Sequence, residues 1–195
     1  VQEAARLLSS ATSPVIVYGG GSLGAGHRLV TLAELADAPV VTTLNGRAAI
    51  PETHPLSLGA ALRLKTAQAV VNAADVLIVV GSKVGEAELW WGPLSPSGVV
   101  VRIDRLQSQL HKNLPAQVGI AADAEAVVDQ LIEALTPLDR KERRVSGARR
   151  AAEVRTAIEA ESRDWSPAVV AVSEAIAAAL PDDVILGADS SQICY

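Results

Sequence analysis

The sequence predicts an α/β fold: a doubly wound, Rossmann-like parallel sheet of five or six strands. Three observations lead there. Short apolar runs rich in Val and Ile recur at residues 14–18, 39–43, 76–80, 99–103 and 117–120, and they are nearly continuous rather than alternating, as in strands covered on both faces. Stretches long enough for helices lie between them, as parallel crossovers require. A glycine-rich turn follows the first run, where such folds pass from strand to helix.

Each element has its own local reason. Residues 1–8 carry Ala, Leu, Glu and Arg and read as a helix. The segments 26–37, 66–73 and 123–135 are helical in composition, and the last sets Val127, Val128, Leu131, Ile132 and Leu135 on one face. Residues 1–137 form the expected first domain. Composition then changes: residues 138–165 are dense in Arg, Lys and Glu with few large apolar side chains. They read as a charged, helical linker with Arg155, Glu159 and Arg163 at i, i+4 spacing. A second unit begins at 166. Ser166-Pro167 is an N-cap followed by proline at the first helical position, the helix runs to about Leu180, and Val184-Ile185-Leu186 is a new strand.

The chain has 195 residues, 17 Lys+Arg against 22 Asp+Glu, a net charge of −5 and 49% hydrophobic residues. That balance excludes a disordered chain and gives no electrostatic reason to bind nucleic acid or an anionic membrane. One cysteine, Cys194, excludes an intrachain disulfide framework, and His27, His54 and His111 lack metal-ligand spacing. A reducing, cytoplasmic setting follows as the expectation. The chain holds no Met, opens inside a helix and stops just after an apolar run, so it is expected to be a piece of a longer polypeptide.

The glycine turn, Gly19-Gly20-Gly21-Ser22-Leu23-Gly24, satisfies G-x-G-x-x-G between strand and helix. Gly20 and Gly21 are thereby candidates for a nucleotide-phosphate loop, with a tight turn that binds nothing as the competing reading. No carboxylate follows the second strand until Glu52, which argues against a nicotinamide site. Trp90 and Trp91 read as packing residues at a sheet edge or a domain contact.

The most specific stretch is Thr-x-x-Gly-x4-Pro-x-x-His-Pro-x3-Gly, running from Thr43 through Gly46, Pro51, His54 and Pro55 to Gly59. With the Gly-Gly-Gly turn, Ala74-Asp75 before the third run, Arg102-Ile103-Asp104 and Ala122-Asp123-Ala124, it resembles the central domain of thiamine diphosphate-dependent enzymes of the acetolactate synthase, benzoylformate decarboxylase and 2-oxo acid decarboxylase type. Pro181-Asp182-Asp183, the following strand and Asp189-Ser190-Ser191-Gln192 resemble the start of that family's diphosphate-binding domain. The resemblance implies a decarboxylase or carboligase acting on a 2-oxo acid, with thiamine diphosphate and Mg2+ as cofactors. It implies that Ser190, Ser191 and Gln192 touch the cofactor's phosphates, and that no catalytic or metal-binding residue lies in this chain. The pyrimidine-binding domain and the rest of the diphosphate-binding domain would lie outside it, so the chain alone is expected to be inactive and the intact protein a homodimer or homotetramer. The family's flavin-holding loops are replaced here by residues 61–66 and 81–86, which argues against FAD. The alternative is a non-catalytic, nucleotide-binding or regulatory α/β module, resting on the glycine turn alone.

Overall fold

A computed structural model describes residues 1–138, 145–181 and 183–187. Helix α1 (Gln2–Ser10) leads into β1 (Val15–Tyr18), and a short 3-10 helix, Gly20–Ala25, precedes α2 (Arg28–Ala36). Strand β2 (Val40–Thr42), helix α3 (Lys65–Ala73), strands β3 (Val76–Val80), β4 (Val99–Asp104) and β5 (Val118–Ala121), and helix α4 (Ala124–Leu135) follow. The chain continues with α5 (Gly147–Trp165) and α6 (Pro167–Ala179). The five strands pair in parallel in the order β2-β1-β3-β4-β5.

The continuous apolar runs are explained by burial on both faces. Ile16, Tyr18, Ile78, Val80, Val101 and Ile103 face a core closed by α1, α2 and α4. Val15, Val17, Leu77, Val79 and Val100 face the other, where Ala67 and Val71 of α3 meet Ala151 and Ile158 of α5. Tyr18 is fully buried and its hydroxyl donates to Leu29 O at 2.8 Å, pinning α2 to β1; burial pushes the phenol well above its usual pKa. The β2 edge is not open. Residues 56–59 run beside it: Val40 N donates to Leu56 O (2.8 Å), Leu58 N to Val40 O (2.8 Å) and Thr42 N to Gly59 O (3.0 Å). The tail of the His-Pro segment thus acts as a partial sixth strand and shields the edge from foreign pairing.

Two expectations are corrected. The linker helix is not only a charged connection but packs on the domain. Its first amide, on Gly147, donates to Asp37 Oδ1 (2.9 Å), Arg150 donates to Pro14 O (3.3 Å), and Arg155 turns from the expected Glu159 pair to the carbonyls of His54, Pro55 and Ser57 (3.3, 3.0 and 2.9 Å). Ala151 and Ile158, spaced seven residues apart on one stripe, bury against the sheet. Residues 139–144 of that segment lie outside the described residues. The strand expected at Val184-Ile185-Leu186 forms no ladder among the described residues, and all three side chains are exposed. A strand exists only with a partner edge, and nothing described here supplies one. Helix α6 likewise buries no residue, and its described link to α5 is the Arg163–Glu174 ion pair at 2.6 Å.

Two carboxylates fasten loops to helix and strand ends. Burial opposes ionisation of Asp75, but it is outweighed by hydrogen bonds from Thr12 N (2.6 Å), Thr12 Oγ1 (2.7 Å) and Ser13 N (3.0 Å), so the pKa falls below its usual value. Glu161 behaves alike: burial is outweighed by hydrogen bonds from Lys65 N (2.8 Å) and Thr66 N (2.9 Å). It caps α3, whose own N-cap position holds Leu64 with no side-chain acceptor. A depressed carboxyl pKa contributes stability that is present above the unfolded value, about 4, and is lost as pH falls through the folded value. The melting temperature should therefore fall below about pH 4, and Asp75→Asn with Glu161→Gln should flatten that fall while lowering stability at pH 7. A double variant with the parent's acid profile would remove both groups from the explanation.

Candidate functional site

In an open parallel sheet, ligands gather outside the carboxyl ends of the strands, where strand order reverses. Here the reversal falls between β1 and β3. The loops that leave these strands, at Gly19 and Gly81, pack directly on each other. A Cβ on Gly19 would strike Gly81 O and Ser82, one on Gly21 would press on Gly81, and one on Gly20 would crowd Asn45. Gly81 has φ +61°, and a Cβ there would overlap the backbone of Gly21 and Ser22. The hydrogen bonds agree with this close fit: Gly19 N donates to Val80 O, Gly21 N to Gly81 O and Ser22 N to Gly19 O, at 2.9, 2.9 and 3.0 Å. Three amides of the turn are engaged within the protein and have no hydrogen to offer a diphosphate. The turn enters a six-residue 3-10 helix rather than α2 itself, and Gly20 and Gly21 are both exposed.

A crevice of about 450 Å3 opens beside this contact, lined by Gly21, Gly81, Lys83, Asp104, Arg105, Leu106 and Ala124. Two residues before Asp104 of this lining, in the middle of β4, Arg102 is 1% exposed. Its guanidinium donates to Ser82 O (2.6 Å), Lys112 O (2.7 Å) and Leu114 O (2.9 Å). Burial lowers its pKa and the nearby Asp104 raises it. One cation thus joins the loop after β3 to residues 112–114. A charge inside an otherwise apolar strand run was the signal for it in the sequence.

The His-Pro segment forms the far wall. Thr43 caps the turn Leu44–Ala49 by accepting from Gly46 N at 3.1 Å. Leu56 N donates to His54 Nδ1 (3.2 Å), so the ring proton sits on Nε2 and faces Glu34 Oε1 at 3.3 Å. Between this wall and α5 lies a second cleft of about 340 Å3. Around Arg63 of its lining and the nearby Lys65, the three tryptophans gather. Arg63 lies 5.3 Å from the Trp90 ring centre and 4.9 Å from that of Trp165, and Lys65 Nζ lies 4.1 Å from that of Trp91. The Trp91 and Trp165 rings are 5.9 Å apart. Sequence reasoning left Trp90 and Trp91 as packing residues and gave no sign of Trp165 or the cations beside them.

Ser190, Ser191 and Gln192, and Cys194, lie outside the described residues. Among the described residues, no group of three or more His, Cys, Asp or Glu side chains could hold a metal ion. No helix among them is long and apolar enough to cross a membrane.

The parallel sheet, its glycine contact at the switch point and the His-Pro edge segment together define a central-domain architecture, and comparison gives it a family. The pattern described as thiamine pyrophosphate enzyme, central domain, matches residues 1–131, and the chain belongs to that family. Among curated relatives it is 30% identical over 195 residues to the probable 2-ketoarginine decarboxylase AruI of Pseudomonas aeruginosa, covering 100% of this chain and 34% of that protein. It is 35% identical over 150 residues to a probable acetolactate synthase large subunit of Methanocaldococcus jannaschii, covering 73% of this chain and 25% of the relative. It is 37% identical over 142 residues to an acetolactate synthase of Mycobacterium bovis, covering 69% and 23%. The chain spans about a third or less of the length of these relatives.

Proposed function

We propose that the intact protein is a thiamine diphosphate- and Mg2+-dependent enzyme that decarboxylates or ligates a 2-oxo acid, with this chain as its central domain and the leading part of its diphosphate-binding domain. The observation that carries this reading is the family match over residues 1–131. The decarboxylase form, a lyase rather than a transferase, is favoured. Similarity to a 2-ketoarginine decarboxylase runs through all 195 residues, whereas the synthase matches span 150 and 142.

When bound, thiamine diphosphate supplies the electron sink that takes up the carbanion left as CO2 departs. The contribution of this chain is to bind and position. Ser190, Ser191 and Gln192 offer hydroxyl and amide donors suited to phosphate oxygens. Flavin is not part of the reading: the amides of Gly19, Gly21 and Ser22 in the glycine turn donate within the protein. The same engaged amides weigh against the non-catalytic nucleotide-binding module, which rested on that turn. Missing pyrimidine-binding and diphosphate-binding partners complete the site, a homodimer or homotetramer is the expected assembly, and the cytoplasm is the expected location.

The test uses the full-length enzyme and the 195-residue chain side by side. The full-length protein should release CO2 from a 2-oxo acid, and the chain alone should release none above a heat-killed control. A hydrogen bond to a charged phosphate contributes about 1.5–3 kcal/mol, so Ser191→Ala or Gln192→Ala should weaken thiamine diphosphate binding about tenfold or more at saturating Mg2+. If both variants stay within about twofold of the parent, the loop assignment is wrong. A full-length protein that neither binds thiamine diphosphate nor releases CO2 from any 2-oxo acid would remove the enzyme reading itself.

A further inference from the structure

The cleft between the His-Pro wall and α5 is lined by charges of both signs, two of each. Four charged side chains line it: Arg47, Glu52, Arg63 and Glu88. Both carboxylates are engaged. Glu52 Oε1 accepts from Arg47 Nε at 2.8 Å, and Glu88 Oε2 accepts from Gly85 N at 2.9 Å. Arg63 is left with no carboxylate partner among the described residues. Its guanidinium is held against the rings of Trp90 and Trp165, which restricts its motion while the N–H donors in its own plane stay free. Leu58, Leu62 and Ile158 supply apolar walls, the last from α5. A volume of about 340 Å3 stands at the lower end of the range that holds small organic ligands.

We propose that this cleft binds a small monocarboxylate with an apolar body, its carboxylate on Arg63 and its hydrocarbon part against Leu58, Leu62 and Ile158. A planar fork beside an apolar wall matches a carboxylate bidentately. A phosphate fits less well: it brings no apolar part, and it would bring more charge beside Glu52 and Glu88. The inference does not depend on thiamine diphosphate chemistry, since every group in it belongs to this chain. It also makes α5 part of a binding site rather than only a connection.

The experiment titrates the 195-residue chain with 4-methylpentanoate, its neutral amide and inorganic phosphate, followed by saturation-transfer NMR and tryptophan emission. The carboxylate should saturate and shift the emission, because Arg63 is shared between the cleft and two of the indoles. The amide should bind at least about tenfold more weakly, the loss expected when a charged hydrogen bond is replaced by a neutral one. Arg63→Ala should lose at least about tenfold in carboxylate affinity, with Arg63→Lys between it and the parent. Should Arg63→Ala fail to fold by circular dichroism, Ala60→Asp, which places a negative charge on the cleft lining, should abolish carboxylate binding in a folded chain. Equal binding of acid and amide, phosphate binding more tightly than the carboxylate, full affinity in folded Arg63→Ala or in Ala60→Asp, or the absence of any saturable signal would each overturn the proposal.

Discussion

Replacing Arg102 by alanine should destabilise the domain by at least about 3 kcal/mol. The side chain is buried, and its three hydrogen bonds end on carbonyls, with the bonds to Ser82 and Leu114 fully buried. Leaving buried acceptors unpaired costs about 1–3 kcal/mol each, and truncation also opens a cavity at the centre of β4. Lysine should recover only part of the loss, because one ammonium cannot reproduce the spread of a guanidinium. Denaturant unfolding monitored by circular dichroism measures the effect. A loss under about 1 kcal/mol would mean that residues 112–114 and the loop after β3 hold their places without this cation.

Gly81→Ala should have an effect of similar size by a different route. The backbone there has φ +61°, and the added Cβ would fall well inside 3.0 Å of Gly21 C and Ser22 N. Backbone atoms cannot rotate away as a flexible side chain can, so the two switch-point loops must separate. Gly59 provides the control. It has φ +70° but nothing within 4 Å of its ideal Cβ, so Gly59→Ala should cost only the strain of left-handed backbone, about 1–2 kcal/mol. Gly81→Ala should exceed it by at least about 2 kcal/mol. Equal losses would show that the close fit of the loops carries no energy of its own.

These contrasts bear on what could be read from the sequence. Every strand of the sheet lay within a residue or so of the apolar runs, because burial on both faces writes itself as consecutive Val and Ile. Helices α1 to α4 and α6 were legible from composition, periodicity and the Ser166-Pro167 start. The role of α5 was not. Its sequence is polar on most sides, and what fixes it is Arg155 reaching three carbonyls about a hundred residues away, a contact with no local pattern. The glycine turn misled in the opposite direction. The same residues that let a backbone approach a phosphate let it approach another backbone, and only the position of Gly81 separates the two. The Val184-Ile185-Leu186 run had strand composition but no edge to join. The cleft at Arg63 required knowing that Trp165 meets Trp90 and Trp91, more than seventy residues earlier in the chain, at one place.

The fastening of α5 also fixes an order of assembly. Its anchors join positions 96, 101, 110 and 136 residues apart, whereas β3 and β4 pair across a much shorter stretch of chain. On a ribosome the sheet-forming residues emerge first, and the His-Pro segment must wait about a hundred residues for Arg155 to be made. Closing so long a loop is entropically costly until the sheet already holds its far end in place. Docking of α5 should therefore be the late event in folding, and nascent chains that stop short of Trp165 should expose the apolar face it covers to whatever chaperone is at hand.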